Sequence, residues 1–497
     1  EKHQGTYTTQ ARNKRFNRKI ELALRDLEFV ATLAHLTAGH PYPTREIETI
    51  WKEALLYQFH DILPGSSITR VYDESLARYQ VLMEQTQQLL NDAQAALIAT
   101  TEKNQTISVL NSLSWERSEW LFIQFQWRYV TVSPSGYTKV DLTISDDNTS
   151  WDQLIATTDM LGNDILQVRF APDGSIQSIF DKEYQRDVLA SGANANRLAV
   201  YYDDGDAWDF SITYDEREPQ YFALEHTSVR RDGPQAIMEQ HYRFGQSTLQ
   251  QRIVLTAGSR RIAFVTTVDW HENHKMLRTS FPVAVTANEA TCDIQFGSIK
   301  RQANRNTSWD FAKYEICAHK WVDLSQWDYG VALLNDCKYG HKVLENVLDL
   351  NLLRSPKYPD PQADQAQHEF TYALYPHPGN HIVGKVARAG YELNVPLRPV
   401  VGAWQGSEAS FAQIEAENVI IETIKKAEEN DDIILRLYES SGAATRTLLT
   451  FNAEIAAIWQ TNLLEEVEKS LEHQQKAVAL TLSPFEILTL RVRFVPR

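Results

Sequence analysis

The hydrophobic period of this chain changes once, near Lys103, and any fold must accommodate both sides of that change. Upstream, Ile20, Leu24, Leu27, Ala31 and Ala34 alternate spacings of four and three, which puts them on one apolar stripe of a helix. Gly39, Pro41 and Pro43 stop that helix. Thr44 is expected to cap a second, with Glu46 and Glu48 in its first turns and Ile47, Trp51, Ala54, Leu55 and Phe59 on its buried side. Pro64-Gly65 breaks it, and Ser66 or Ser67 is expected to cap a third. There Tyr72, Leu76, Tyr79, Met83, Leu90, Ala93 and Leu97 hold heptad spacing, with Thr86 the one polar member. Three long helices with short connections predict an antiparallel bundle.

Downstream the pattern is that of strands. Residues 107–110, 119–125, 139–144 and 165–170 are short runs of β-branched and aromatic residues parted by turn formers, and Asp173-Gly174 is a hairpin signal. No helices long enough for a parallel sheet are interleaved, so the remainder is predicted as packed sandwiches. The fold class is α+β and multidomain: an N-terminal three-helix bundle followed by antiparallel β-sandwich domains. A chain of 497 residues has room for three or four domains at roughly 150 residues each. The expected divisions are residues 1–103 (the bundle), 104–160 (a small β-sandwich domain), 161–395 (a large one) and 396–497 (a C-terminal β domain).

Charge and cysteine content narrow the function. Lys and Arg total 49 against 65 Asp and Glu, a formal net charge of −16. Such a chain repels phosphate backbones and anionic lipid, which argues against nucleic-acid and membrane partners. No apolar run approaches the roughly 20 residues that cross a bilayer. Cys292, Cys317 and Cys337 are an odd number at long spacings, which fits a reducing, cytoplasmic compartment. The sequons at Asn104, Asn148 and Asn306 matter only for a secreted protein. Trp, Tyr and Phe are plentiful, as sugar-binding clefts and large sandwich cores both require.

The stretch Gln58-Phe59-His60-Asp61-Ile62-Leu63-Pro64-Gly65-Ser66-Ser67 carries the most chemistry. His60 and Asp61 are expected where the second helix ends, and the negative end of a helix favours a nearby cation. Adjacent helical side chains diverge by about 100°, so the pair addresses one cleft without chelating one ion together. A helix-terminal cap with a solvated carboxylate uses the same two residues. With Trp51 and Ile68, this stretch resembles the metal-ligand segment of glycoside hydrolase family 38, the α-mannosidases. Further stretches resemble the family in order: His3-Gln4-Gly5-Thr6-Tyr7-Thr8-Thr9-Gln10-Ala11 with Lys14-Arg15 and Asn17-Arg18, Asn111 to Arg117, Asp173-Gly174 leading into residues 179–183, residues 319–324, residues 335–340, Leu353-Arg354-Ser355-Pro356 and Tyr375-Pro376-His377-Pro378.

The resemblance implies a zinc-dependent retaining α-mannosidase that removes terminal α-linked mannose from glycans. His60 matches the family's zinc-binding histidine, and Asp61 the neighbouring carboxylate that contacts the sugar. Tyr7, Arg354 and His377 are expected to border the substrate cleft. The family's nucleophile, acid and other zinc ligands lie in a catalytic domain preceding the bundle. This chain is therefore expected to be the C-terminal portion of a larger enzyme, inactive without that domain. Its partners are then α-mannosides and that missing N-terminal domain, and broad sandwich faces admit a homo-oligomer. The alternative of another class is a non-catalytic carbohydrate-binding or scaffolding β-sandwich module.

Two features invite other readings. His271-Glu272-Asn273-His274 is one residue short of a metalloprotease motif and follows a strand-like run, so a polar turn is expected. The charged run at residues 425–432 is expected to be a solvated strand connection.

Overall fold

The structure, a computed structural model, describes residues 2–99, 106–143, 151–406 and 410–496. The sequons at Asn104 and Asn148 and the period change at Lys103 lie outside the described residues. Three long helices come first: α1 (Ala11–Ala38), α2 (Thr44–Leu56) and α3 (Thr69–Leu97). Ser75 bonds to Asn13, and Phe16 stacks on Tyr79, so α1 and α3 run parallel. Trp51 reaches Glu28 while Gln58 reaches Asn17 and Glu21, so the α2 side runs antiparallel to α1. The bundle is an up–down–up arrangement, as the short connections predict.

Its ends differ from the expectation. Gly39 does close α1, in the left-handed conformation with its N–H on the Ala34 carbonyl. Thr44 is not a cap: Pro43 holds that position, and Thr44 is the first helical residue. Neither Ser66 nor Ser67 caps α3, which starts after Ile68. Leu55 on α2, and Phe59 beyond its end at Leu56, both expected on its buried side, are exposed, and Ile50 is buried instead. Helix α1 has more than one buried stripe. Every residue from Leu24 to Ala34 is buried, because sheets cover the face that α2 and α3 leave. Two of the charges this traps are partnered: Arg25 donates to the Glu422 carbonyl and to Ser112, and Asp26 accepts from Ser112 and Arg398.

After the bundle the described strands pair antiparallel. The strand Thr106–Asn111 lies between Gly136–Asp141 and Arg398–Val401, so the late segment folds back onto the start of the β region. The run expected at 119–125 is divided by a two-residue turn at Gln124-Phe125, both with positive φ, which joins Arg117–Ile123 to Gln126–Val132. Asp173-Gly174 turns the hairpin of Leu166–Phe170 and Ile176–Asp181, with Gly174 at φ 85°. The largest β unit packs a six-stranded sheet, residues 199–354, against a nine-stranded sheet, residues 223–378, over one shared core. The C-terminal strands form sheets of three and five around a core that is continuous with that of the helical bundle. Helix α1 thus packs against both the large sandwich and the C-terminal strands.

The two discounted features resolve physically. Residues 271–274 lie in the connection between the strands Ile262–Asp269 and Lys275–Pro282, where Glu272 accepts from Ser247 and Gln246. The charged run is only partly solvated. Glu428, Glu429 and Asp431 are exposed, but Lys425 pairs with Glu465, and Asp432 is buried against Arg491 and Arg493.

Candidate functional site

Between α2 and α3 the chain makes a run of turns from Tyr57 to Gly65 that projects His60 and Asp61 from the bundle. Their side chains are 78% and 51% exposed, and His60 Nε2 lies 3.7 Å from Asp61 Oδ2. The Phe59 ring stacks obliquely on the imidazole, with centroids 4.1 Å apart. The pair lies four residues beyond the helix end, so the macrodipole argument for a cation there does not apply. What fixes the turn is a set of bonds to its backbone. The Asp61 carbonyl accepts from Ser67 Oγ at 2.6 Å and from Tyr72 Oη at 3.2 Å, while Tyr72 Oη accepts from the Ser67 N–H at 2.8 Å. Ser66 Oγ donates to Asp61 Oδ1 at 3.3 Å, which limits the carboxylate's rotation.

Beneath the turn sits Lys14, buried on the first coil of α1. Its ammonium donates to the carbonyls of Thr9, Leu63 and Pro64 at 2.5, 2.7 and 3.3 Å. Burial pulls its pKa down to about 7, against the opposing pull of Asp364. Gly65 lies at φ 95°, and a Cβ there would meet the Thr9 carbonyl at 2.6 Å. The segment Thr8–Gln10 therefore docks directly under the turn. That segment is anchored in turn by Asp364, whose oxygens accept from the Gln10 and Ala11 N–H groups at 2.7 Å.

Arg354 and His377 are not on a cleft rim. Arg354 and its partner Asp203 have no exposed side-chain surface, and the guanidinium forks onto the carboxylate at 2.8 and 3.1 Å. Its remaining N–H groups go to Thr9 Oγ1 and to the carbonyls of Asp206 and Asp209. His377 is equally enclosed, 2.7 Å from Asp323. Side chains without surface cannot touch a sugar in this arrangement; both bind the large sandwich together, and Arg354 also grips the segment beneath the turn.

Tyr7 lies elsewhere, on a cleft of 680 Å³ bounded by α1, the turn, the large sandwich and the C-terminal strand Val419–Lys426. Gln58, Leu63 and Pro64 line it, so the cleft flanks His60 and Asp61 on both sides in sequence without including them. Among the described residues no three His, Cys, Asp or Glu side chains converge as a metal shell. His60 and Asp61 stand side by side on the turn with no third such side chain beside them among the described residues. The lysine and tyrosine that hold the turn were absent from the sequence-level site. Their signal was a Lys at a helical position surrounded by buried neighbours, which sequence spacing alone does not reveal.

Three family models cover most of the chain. The alpha mannosidase middle domain matches residues 1–97, the glycosyl hydrolases family 38 C-terminal domain residues 161–362, and that family's C-terminal beta sandwich domain residues 418–490. The chain belongs to glycosyl hydrolase family 38. Alpha-mannosidase 2C1 of Mus musculus is 36% identical across 99% of this chain and 50% of its own length. Alpha-mannosidase G of Dictyostelium discoideum is 32% identical across 99% of this chain and 52% of its own. The chain thus spans about half the length of the curated relatives it matches. An alpha-mannosidase structure from Enterococcus faecalis shares the fold, with a TM-score of 0.83 over 99% of this chain and 68% of that one, at 15% identity. Among the described residues no helix is long and apolar enough to cross a membrane.

Proposed function

We propose that this chain is the middle and C-terminal portion of a zinc-dependent retaining α-mannosidase acting on terminal α-linked mannose, and that His60 is its contribution to the metal site. The observation that carries the reading is the exposed imidazole on a turn whose backbone is held from beneath by Lys14, Ser67 and Tyr72. A group displayed on so constrained a backbone is preorganised to meet something outside the chain. His60 must be neutral to donate a lone pair, and the remaining ligands come from outside these residues. A zinc ion held by His60 and by ligands from outside these residues would supply Lewis-acid chemistry towards the sugar hydroxyls.

Asp61 in this reading accepts hydrogen bonds from a sugar hydroxyl, with Ser66 limiting its rotation. It is not the nucleophile. A retaining mechanism needs a carboxylate nucleophile and an acid about 5–5.5 Å apart, and both are assigned outside this chain, which alone is inactive. Tyr7 is a substrate contact at the cleft wall. Cys292 and Cys337 are buried thiols, which supports a reducing, cytoplasmic setting. In the full-length enzyme, His60→Ala is expected to lower zinc affinity and turnover of an aryl α-mannoside by at least about 100-fold, beyond the 10–100-fold cost of losing an outer-shell partner. Wild-type zinc content and turnover in that variant would overturn the assignment. Sugar binding by the chain with no hydrolysis by the full-length protein would favour the non-catalytic module instead.

A further inference from the structure

We propose that a small pocket between α1 and the large sandwich binds a tetrahedral oxyanion, either inorganic phosphate or the phosphoryl end of a larger molecule. Arg12 and Arg15, on the first turns of α1, face Lys338 and residues 367–370 across it. The pocket shares no lining residue with the cleft beside the 57–65 turn. It does not depend on the α-mannosidase reading.

Charge selects the ligand. The chain as a whole carries −16, yet this pocket gathers three cations, Arg12, Arg15 and Lys338, against the single carboxylate of Glu369, which is 62% exposed. Like charges held together in a partly buried site repel one another until an anion joins them. The imidazole of His368, buried in the same wall, reports their convergence. After burial itself, Lys338, Arg12 and Arg15 hold its pKa down to about 3, against the Asp364 carbonyl that accepts from Nε2. The Asp364 carboxylate lies behind that imidazole with both oxygens on the N–H groups of Gln10 and Ala11. Counting it, cations are still in excess.

The donors are largely unspent. Arg12 is half-buried, and its guanidinium makes no hydrogen bond or ion pair among the described residues. Arg15 reaches Glu369 through Nη2 at 3.3 Å and leaves its buried Nε without a partner among the described residues. Lys338 is 4% exposed, and its ammonium donates to the Leu352 carbonyl at 2.6 Å. An ammonium has three N–H groups, so that bond leaves donors over. Buried N–H groups without acceptors call for one, and guanidinium and ammonium groups together suit phosphate oxygens. Size completes the argument. The pocket holds 120 Å³, a few waters at roughly 30 Å³ each, which suits an oxyanion and is too little for a sugar ring.

The test titrates the 497-residue chain by calorimetry with inorganic phosphate and, separately, with glucose 6-phosphate, in chloride of matched ionic strength. Arg12→Gln is the deciding variant, because that guanidinium bonds to nothing and its removal leaves the fold intact. One oxyanion is expected to bind the wild type, to raise its Tm, and to bind Arg12→Gln at least about tenfold more weakly, a loss of about 1.4 kcal/mol. Arg15→Gln should weaken binding similarly. Tighter binding of glucose 6-phosphate than of phosphate assigns the phosphoryl end of an ester, and the reverse order assigns the free ion. Absence of binding by both, or equal binding by wild type and Arg12→Gln, would overturn the proposal. Neither result bears on aryl α-mannoside hydrolysis by the full-length enzyme, which alone decides the mannosidase reading.

Discussion

Two polar centres lie on either side of the Thr8–Gln10 segment, and they use charge in opposite ways. In one, His60 and Asp61 stand in solvent on a turn whose backbone carries most of the bonding. In the other, Arg354 and Asp203 are fully enclosed, and the side chains themselves carry the bonding. Both belong to motifs of the same family, and by residue type both suit a sugar site. The difference shows that burial, rather than chemistry, separates a group offered to a ligand from one consumed by the fold. A buried fork with every N–H occupied has nothing left to give. An exposed imidazole on a rigid turn has given nothing yet.

The largest effect should come from breaking the buried centre. Arg354→Ala leaves Asp203 enclosed without its partner and strips Thr9 of a donor, which should cost about 3–5 kcal/mol. A drop of several degrees or more in Tm, or loss of soluble protein, is expected. Arg354→Lys, which keeps the charge and loses the fork, should fall between. A neutral result for Arg354→Ala would erase the distinction between the two centres.

A second contrast sharpens it with acid. His368 is buried, with Nε2 2.8 Å from the Asp364 carbonyl, and burial pulls its pKa from 6.5 down to about 3. The unfolded chain takes up this proton below about 6.5 and the folded chain does not, so stability falls as pH drops from 6.5 toward 3. Buried Glu28 and Asp364, raised to about 7 and about 6, act with the opposite sign over the upper part of that window. The variant isolates the histidine: His368→Gln should remove roughly 1–3 kcal/mol of the acid-dependent loss between pH 6.5 and 4. Melting curves across that range check it; identical pH slopes for wild type and variant would mean the imidazole is not held neutral.

The smallest effect on stability belongs to the residue expected to matter most for activity. His60→Ala should leave Tm of this chain nearly unchanged, within about 0.5 kcal/mol, because its ring covers little buried surface. The same substitution tests the metal assignment in the full-length enzyme. A large destabilisation would make His60 a structural residue and merge the two centres.

Much of the fold was legible because it rests on period. The three helices, the Gly39 stop and the Asp173-Gly174 hairpin all follow from spacing and backbone conformation, which are local. Helix ends were less legible. Thr44 and Ser66 are good caps by type, yet Pro43 and Ile68 occupy those positions; before Ile68 the connection is held by Tyr72 and Lys14 instead. The His60-Asp61 stretch was found from its motif, whereas Lys14, named only within a family stretch, was given no role, since a lysine in a helix reads as solvated until its neighbours are known.

By itself the sequence determined a helical start, a β remainder, an acidic chain, and the His60-Asp61 stretch ahead of the Pro64-Gly65 break. Tertiary structure alone decided that Arg354 and His377 are enclosed, that α1 is buried around its circumference from Leu24 to Ala34, and that a cleft opens beside the turn. The physical reason is range. Periodicity and turn chemistry act over a few residues, while desolvation depends on strands and helices hundreds of residues apart that meet only when the chain is folded.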